Sequence, residues 1–220
     1  MRRFTTAVSA LFFVLLSVSN TVKAAIVSLD NSPANGSISS FGVPDSQTYG
    51  QVFTAPVTGT LTSFTLWLDG GVGQLQGGVG NWNAPTGNFG FGFGPTSSLY
   101  MSAPVPSASA GAYTFTPNVA VVANQRYVAF LTVTGGGANG TTSMQTTSTN
   151  FTWIDYFVWN NFGDVGGTNL FDGSWNYFAD FGDARFAATF DTAVTPIPAA
   201  WLLMLTGLLG FRLFQRRTTA

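Results

Sequence analysis

The sequence predicts an all-β body, a sandwich or jelly roll, and three observations carry that expectation. Apolar and polar residues alternate with period two in LTSFTLWL (61–68), RYVAFLTV (126–133) and RFAATF (185–190). Gly, Pro, Asn and Asp interrupt the apolar runs at short intervals. No stretch between Ala25 and Val194 sustains a 3.6-residue period.

At the N-terminus, Arg2 and Arg3 precede an apolar run from Ala10 to Leu16, and small and polar residues follow as far as Ala24. That order is the order of a signal peptide over 1–24. Val22 and Ala24 take the small-residue positions, Ala25 becomes the mature N-terminus, and signal peptidase is the expected partner. A retained helical anchor is the weaker alternative, because a span needs roughly 20 apolar residues.

The body, 25–194, is expected to hold strands near 25–30, 49–55, 59–68, 97–102, 111–116, 119–123, 126–134, 151–159, 175–179 and 184–191. Pro56 and Gly59 separate the second and third of these, and Asn124-Gln125 form a turn into the aromatic-rich strand that begins at Arg126. In LTSFTLWL, Phe64, Leu66 and Leu68 share one face. Two segments read as insertions. Residues 70–94 hold ten glycines in no phosphate-loop context, so they are expected to form a Gly-rich loop. Positions 141–152 hold eight Ser or Thr and read as a polar loop or a site for O-linked sugar.

Composition narrows the chemistry. Charged residues make up 8% of the chain, against about 25% in a typical soluble domain, so Ser, Thr, Asn, Gln and Gly must keep the surface wet. There is no Cys, His or Glu, which excludes thiol nucleophiles, Ser-His-Asp triads and the usual zinc sites. The body carries all nine aspartates and only Arg126 and Arg185 as basic residues. Without a basic patch, nucleic acid is not an expected partner.

The candidate sites lie mostly in the aromatic-rich stretch from Phe151 to Phe190. Strand alternation in FTWIDYFVW puts Phe151, Trp153, Asp155, Phe157 and Trp159 on one face. Trp153, Asp155 and Trp159, with Trp82 from the Gly-rich loop, are the candidate glycan-binding residues: ring faces stack on pyranose C–H surfaces and the carboxylate accepts hydroxyl hydrogen bonds. The competing reading of these tryptophans is core packing. Asp164, Asp172, Asp180 and Asp183 stand on Gly-rich turns as candidate ligands of a structural calcium, though their spacing matches no EF-hand. Turn capping is their default role. A glycosidase would need a carboxylate pair such as Asp180 and Asp183 and is a remote alternative, so no catalytic residue is assigned. Arg185 is expected to pair with Asp183 or Asp180.

The C-terminal segment, 195–220, reads TPIPAAWLLMLTGLLGFRLFQRRTTA after Val194. Residues 199–211 hold no charge, and a single transmembrane helix is expected over about 197–214. Arg212, Arg216 and Arg217 form a membrane stop that places this tail in the cytoplasm and the acidic body outside. A signal peptide at one end with a Pro-x-Pro motif, a short Leu/Gly-rich span and an Arg cluster at the other is similar to the PEP-CTERM family of bacterial surface proteins, the proposed substrates of exosortase. Thr195, Pro196, Ile197, Pro198, Ala199 and Ala200 stand where that family has its sorting motif and resemble its VPxPAA variant, with Thr195 in place of Val. TYGQVFTAP (48–56), AGAYTFTPNVAVVANQRYVAFLT (110–132) and DARFAATF (183–190) also resemble the β-sandwich ectodomains found ahead of such signals.

The resemblance implies a Gram-negative exported protein. It would be anchored transiently in the inner membrane, cut near the motif by an exosortase-type sorting enzyme, and delivered to the cell surface or a polysaccharide matrix. The expected role is structural or adhesive, in exopolysaccharide or biofilm. A dedicated carbohydrate-binding module is the main alternative.

Overall fold

The structure, a computed structural model, describes residues 24–82, 94–133, 140–148, 153–160, 170–171, 175–177 and 182–192. The chain divides into a unit spanning Ala25–Ala193 and a second made of Met1–Ala24 and Val194–Ala220. The expected signal peptide, sorting motif and transmembrane helix fall in that second unit, outside the described residues apart from Ala24. Among the described residues no helix is long and apolar enough to cross a membrane.

The body is all-β, with every strand pairing antiparallel. In chain order the strands are β1 (Ile26–Asp30), β2 (Gly36–Val43), β3 (Thr48–Thr54), β4 (Gly59–Leu68), β5 (Gly73–Trp82), β6 (Pro95–Met101), β7 (Val105–Ser107), β8 (Gly111–Phe115), β9 (Val119–Val121), β10 (Arg126–Thr132), β11 (Gly140–Thr147), β12 (Ile154–Asn160), β13 (Asn176–Tyr177), β14 (Asp183–Ala184) and β15 (Phe186–Thr192). One sheet runs β1-β15-β4-β11-β14, with β2 on β11 and with β8 and β9 on β4. The other runs β13-β12-β3-β10-β5-β6, with β7 on β5. Side chains from both sheets share one large buried cluster, which gives a sandwich-like arrangement.

Phe64, Leu66 and Leu68 of β4 are all fully buried in that cluster, as the alternation predicts. Phe53 of β3 reaches across to Phe186 and Phe190 of β15, with ring centroids 5.3 Å and 6.0 Å away. Such ring pairs add directional contact to the area they bury. β3 and β10 differ from β4 in being buried on nearly every residue. Their second face meets a smaller cluster of Val52, Trp82, Val128, Phe130, Val158, Leu170 and Trp175. RYVAFLT is therefore apolar almost throughout because it is a central strand covered on both sides.

Four strands correct the expectation, the first of them the short β7, which lies between the strands expected near 97–102 and 111–116. The Gly-rich segment is not a loop from end to end, since Gly73–Trp82 is β5 and pairs with β10 from Gln76 to Asn81. Its glycines make room for neighbouring rings: a Cβ at Gly77 would collide with the Phe115 ring, and one at Gly78 with the Phe130 ring. The Thr-rich segment contains β11, and the unpredicted β2 lies against it. β2 breaks period two because Ser39 and Ser40 together oppose Ser143, a bulge that sets Ile38 and Phe41 three residues apart on the ladder.

Candidate functional site

The strand β12 does not present Trp153, Asp155 and Trp159 on one face. Ile154 pairs with Phe53 and Tyr156 with Val52, so Asp155 is an extra residue that resets the alternation. Beyond the bulge, Phe157 and Trp159 turn toward the main core with Ile154. Trp153 precedes the strand in a turn with φ of 76° and is 38% exposed. Six residues of strand put Trp153 and Trp159 roughly 20 Å apart. The expected single sugar platform is thus split between the two ends of β12.

Asp155 itself is aimed sideways by the bulge. The Thr54 hydroxyl donates to its Oδ2 at 2.8 Å, and Arg126 lies 3.5 Å from its Oδ1, the one ion pair among the described residues. Burial raises the Asp155 pKa above the ordinary aspartate value, partly offset by the Thr54 hydrogen bond and the Arg126 charge. Trp82 is 4% exposed and meets Trp175 edge to face at 6.1 Å. Its ring is core, because the β5 glycines leave the space beside it to Phe130 and Trp175.

Asp183 is 5% exposed and belongs to a buried amide clamp. Gln51 of β3 donates from Nε2 to Asp183 Oδ1 at 3.1 Å and accepts at Oε1 from the Ala184 amide at 2.7 Å. On the other side Asn31 donates from Nδ2 to the Ala184 carbonyl at 2.8 Å and accepts from the Phe186 amide at 2.7 Å. The two amide side chains supply hydrogen bonds that short β14 lacks, and Gln51, reaching from β3 to β14, joins the two sheets through polar contacts. Burial raises the Asp183 pKa to about 6; the Gln51 hydrogen bond lowers it and the Asp155 charge raises it.

Among the calcium candidates, Asp164, Asp172 and Asp180 lie outside the described residues. Asp183 is the described member, and among the described residues no group of three acidic side chains gathers to hold a metal. Arg185 makes no ion pair with Asp183 or with any other described carboxylate, and its other expected partner, Asp180, lies outside the described residues. Its Nε donates to the Ser32 hydroxyl at 3.0 Å and its Nη1 to Gln145 Oε1 at 2.9 Å, while the guanidinium lies 4.2 Å from the centre of the Trp67 ring. Gln145 in turn donates to Asp69, so among the described residues Arg185 meets a carboxylate at second hand.

Where β2 crosses to β3 the structure opens a pocket of about 440 Å³. Ile38, Tyr49 and Trp159 line it together with Ser37, Ser39, Ser40, Ser46 and Asp45. Ile38 and Tyr49 are buried, whereas Ser37, Ser39 and Asp45 are exposed, so the pocket has an apolar floor and a hydroxylated rim. Two backbone bonds hold the connection: Gly42 N–H to the Ser46 carbonyl at 2.9 Å, and Ser46 N–H to the Ser40 carbonyl at 3.2 Å. Burial raises the Tyr49 pKa, the Asp45 charge adds to the shift, and hydrogen bonds with the Ser46 side chain and the Ser40 backbone partly offset it. Of the expected glycan-binding residues only Trp159 is here. SISS (37–40) and the PDS turn (44–46) were the available signal, hidden because the bulge removes the alternation that would have marked β2. Comparison with protein-family models, with curated proteins and with solved structures returns no match to this chain.

Proposed function

We infer that this is an exported protein of the bacterial envelope, sorted and cut at a PEP-CTERM-like C-terminal signal and placed in the surface or exopolysaccharide matrix. Its role there is structural or adhesive, and its mechanism is binding and placement without turnover. The residues assigned to sorting are Thr195 to Ala200, with the span at about 197–214 and Arg212, Arg216 and Arg217 as its cytoplasmic stop.

One observation carries this reading furthest. The Ala25 amide donates to Thr192 Oγ1 at 2.8 Å and the Thr192 amide to the Ala25 carbonyl at 2.9 Å, at the end of a β1–β15 ladder running from Ile26↔Asp191 to Asp30↔Ala187. The body thus starts and ends on neighbouring strands. Cuts after Ala24 and near Ala200 sever no described ladder, and the new ammonium at Ala25 keeps its acceptor. A body poor in charge and rich in hydroxyl and amide groups suits a surrounding of neutral polysaccharide.

The intact mass of the protein recovered from its own cells tests this reading. A chain that starts at Ala25 and ends between Val194 and Ala200 is the expected result. A chain that runs from Met1, or on to Ala220, would overturn the two-cut processing.

A further inference from the structure

We propose that the pocket beneath the β2–β3 connection is a binding site for a neutral saccharide, with Trp159 and Tyr49 as its floor and Asp45 and the serines as its polar rim. The proposal rests on the reading of this protein as a component of a glycan matrix, and it names the chemistry by which the body engages that matrix. The pocket volume of about 440 Å³ falls in the range of about 300–1,000 Å³ usual for small-molecule sites.

The lining matches a sugar ring from both directions. A pyranose has apolar C–H faces and an equator of hydroxyls that each donate and accept. Trp159, which is only partly buried, supplies aromatic surface for the first, with the buried Tyr49 beside it, a contact worth more than its area because ring faces are electron-rich. Ser37, Ser39 and Ser40 supply groups that both donate and accept, and the Asp45 carboxylate supplies two acceptor oxygens. A wholly apolar ligand would strip water from that rim without replacing it. An anionic sugar would meet Asp45 with no Lys or Arg in the lining to offset the repulsion. Neutral hydroxylated rings are the class that fits.

The bulge explains why the site sits here. Ser39 and Ser40 together face a single residue of β11, and such insertions re-aim side chains beside functional sites. They bring two successive serines to the pocket, where a regular strand would send one to each face.

Saturation-transfer NMR on the full chain, kept in a zwitterionic detergent without a sugar head group, tests the site. The probes are the methyl glycosides of glucose, galactose, mannose and N-acetylglucosamine, with the methyl glycoside of glucuronate as the anionic counterpart. Transfer to at least one neutral glycoside is expected, with weaker binding of the glucuronide. Asp45→Ala should weaken the neutral ligand by about tenfold, since it removes charge-assisted hydrogen bonds. Ser39→Trp should abolish transfer by filling the pocket. Both positions are exposed, so both variants retain the fold, and Trp153→Ala at the far end of β12 should leave binding unchanged. Transfer to none of the four neutral probes, or transfer unaltered in Asp45→Ala and Ser39→Trp, overturns the proposal. The intact mass is independent: a processed chain that binds no glycoside removes the pocket and leaves export standing, and an uncut chain that binds does the reverse.

Discussion

Gly78 lies directly opposite Phe130 across the β5–β10 ladder, and the Phe130 ring occupies the space that a side chain at Gly78 would need. Trp175 closes over the same ring at 5.5 Å, so the ring cannot swing away cheaply. Gly78→Ala should therefore destabilise the body by about 1–3 kcal/mol, the usual range for overpacking. The double variant with Phe130→Leu should recover part of that loss, because the smaller side chain yields the space. Urea unfolding of the four proteins measures the coupling directly.

Asp183 makes stability depend on pH with a definite sign. Its pKa is raised on folding, from 3.8 to about 6, so the folded state holds the proton more tightly than the unfolded chain. The stabilisation is complete below about pH 4 and is lost as the pH rises through about 6. Asp155, raised by burial as well, acts in the same direction. The body should be more stable at pH 5 than at pH 7.5 by on the order of 1–2 kcal/mol, read as a higher Tm in thermal unfolding at pH 5. Asp183→Asn should flatten most of that slope, and an unchanged slope would refute the assignment.

Gln51→Leu tests the clamp from its other half. It leaves the Ala184 amide without its acceptor and Asp183 without its donor in a buried place, a cost of about 1–3 kcal/mol. The loss should be larger at pH 8 than at pH 5, where the carboxyl is mostly protonated. Chemical denaturation at the two pH values reads the difference.

Arg185 is held by a ring and two neutral acceptors, and its variants should behave accordingly. Arg185→Ala should cost about 1–2 kcal/mol through the lost Trp67 contact and hydrogen bonds. Arg185→Lys should not restore it, because an ammonium cannot reach Ser32 and Gln145 as a planar fork while lying over an indole. Raising the salt concentration should change the difference little, in contrast to a surface ion pair.

A chain reduced to residues 25–194 should fold with strand-type circular dichroism and unfold in one cooperative transition. Every described strand lies within it, and Ala25 and Thr192 close the ladder at its ends. A truncated chain without cooperative unfolding would show that the terminal segments contribute to the fold.

The all-β class, and the places of β4, β10 and β15, were legible in the sequence. In β4 and β15 the residue that faces the core is itself apolar, so burial writes its period into the local pattern, and β10 is legible as an apolar run because both of its faces are covered. What tertiary structure alone decided lies where a strand's apolar content comes from elsewhere. β5 carries glycines because Phe115 and Phe130 fill its faces, β11 carries threonines while β2 and β4 flank it, and Trp82 is core because Trp175 covers it. The bulges at Ser39–Ser40 and Asp155 each shift the alternation by one residue, which separates Trp153 from Trp159 and assembles the pocket from β2, β3 and β12. Local sequence records which side of its own strand a residue faces, but a ring from a neighbouring strand, or one inserted residue, changes the answer without leaving a local trace.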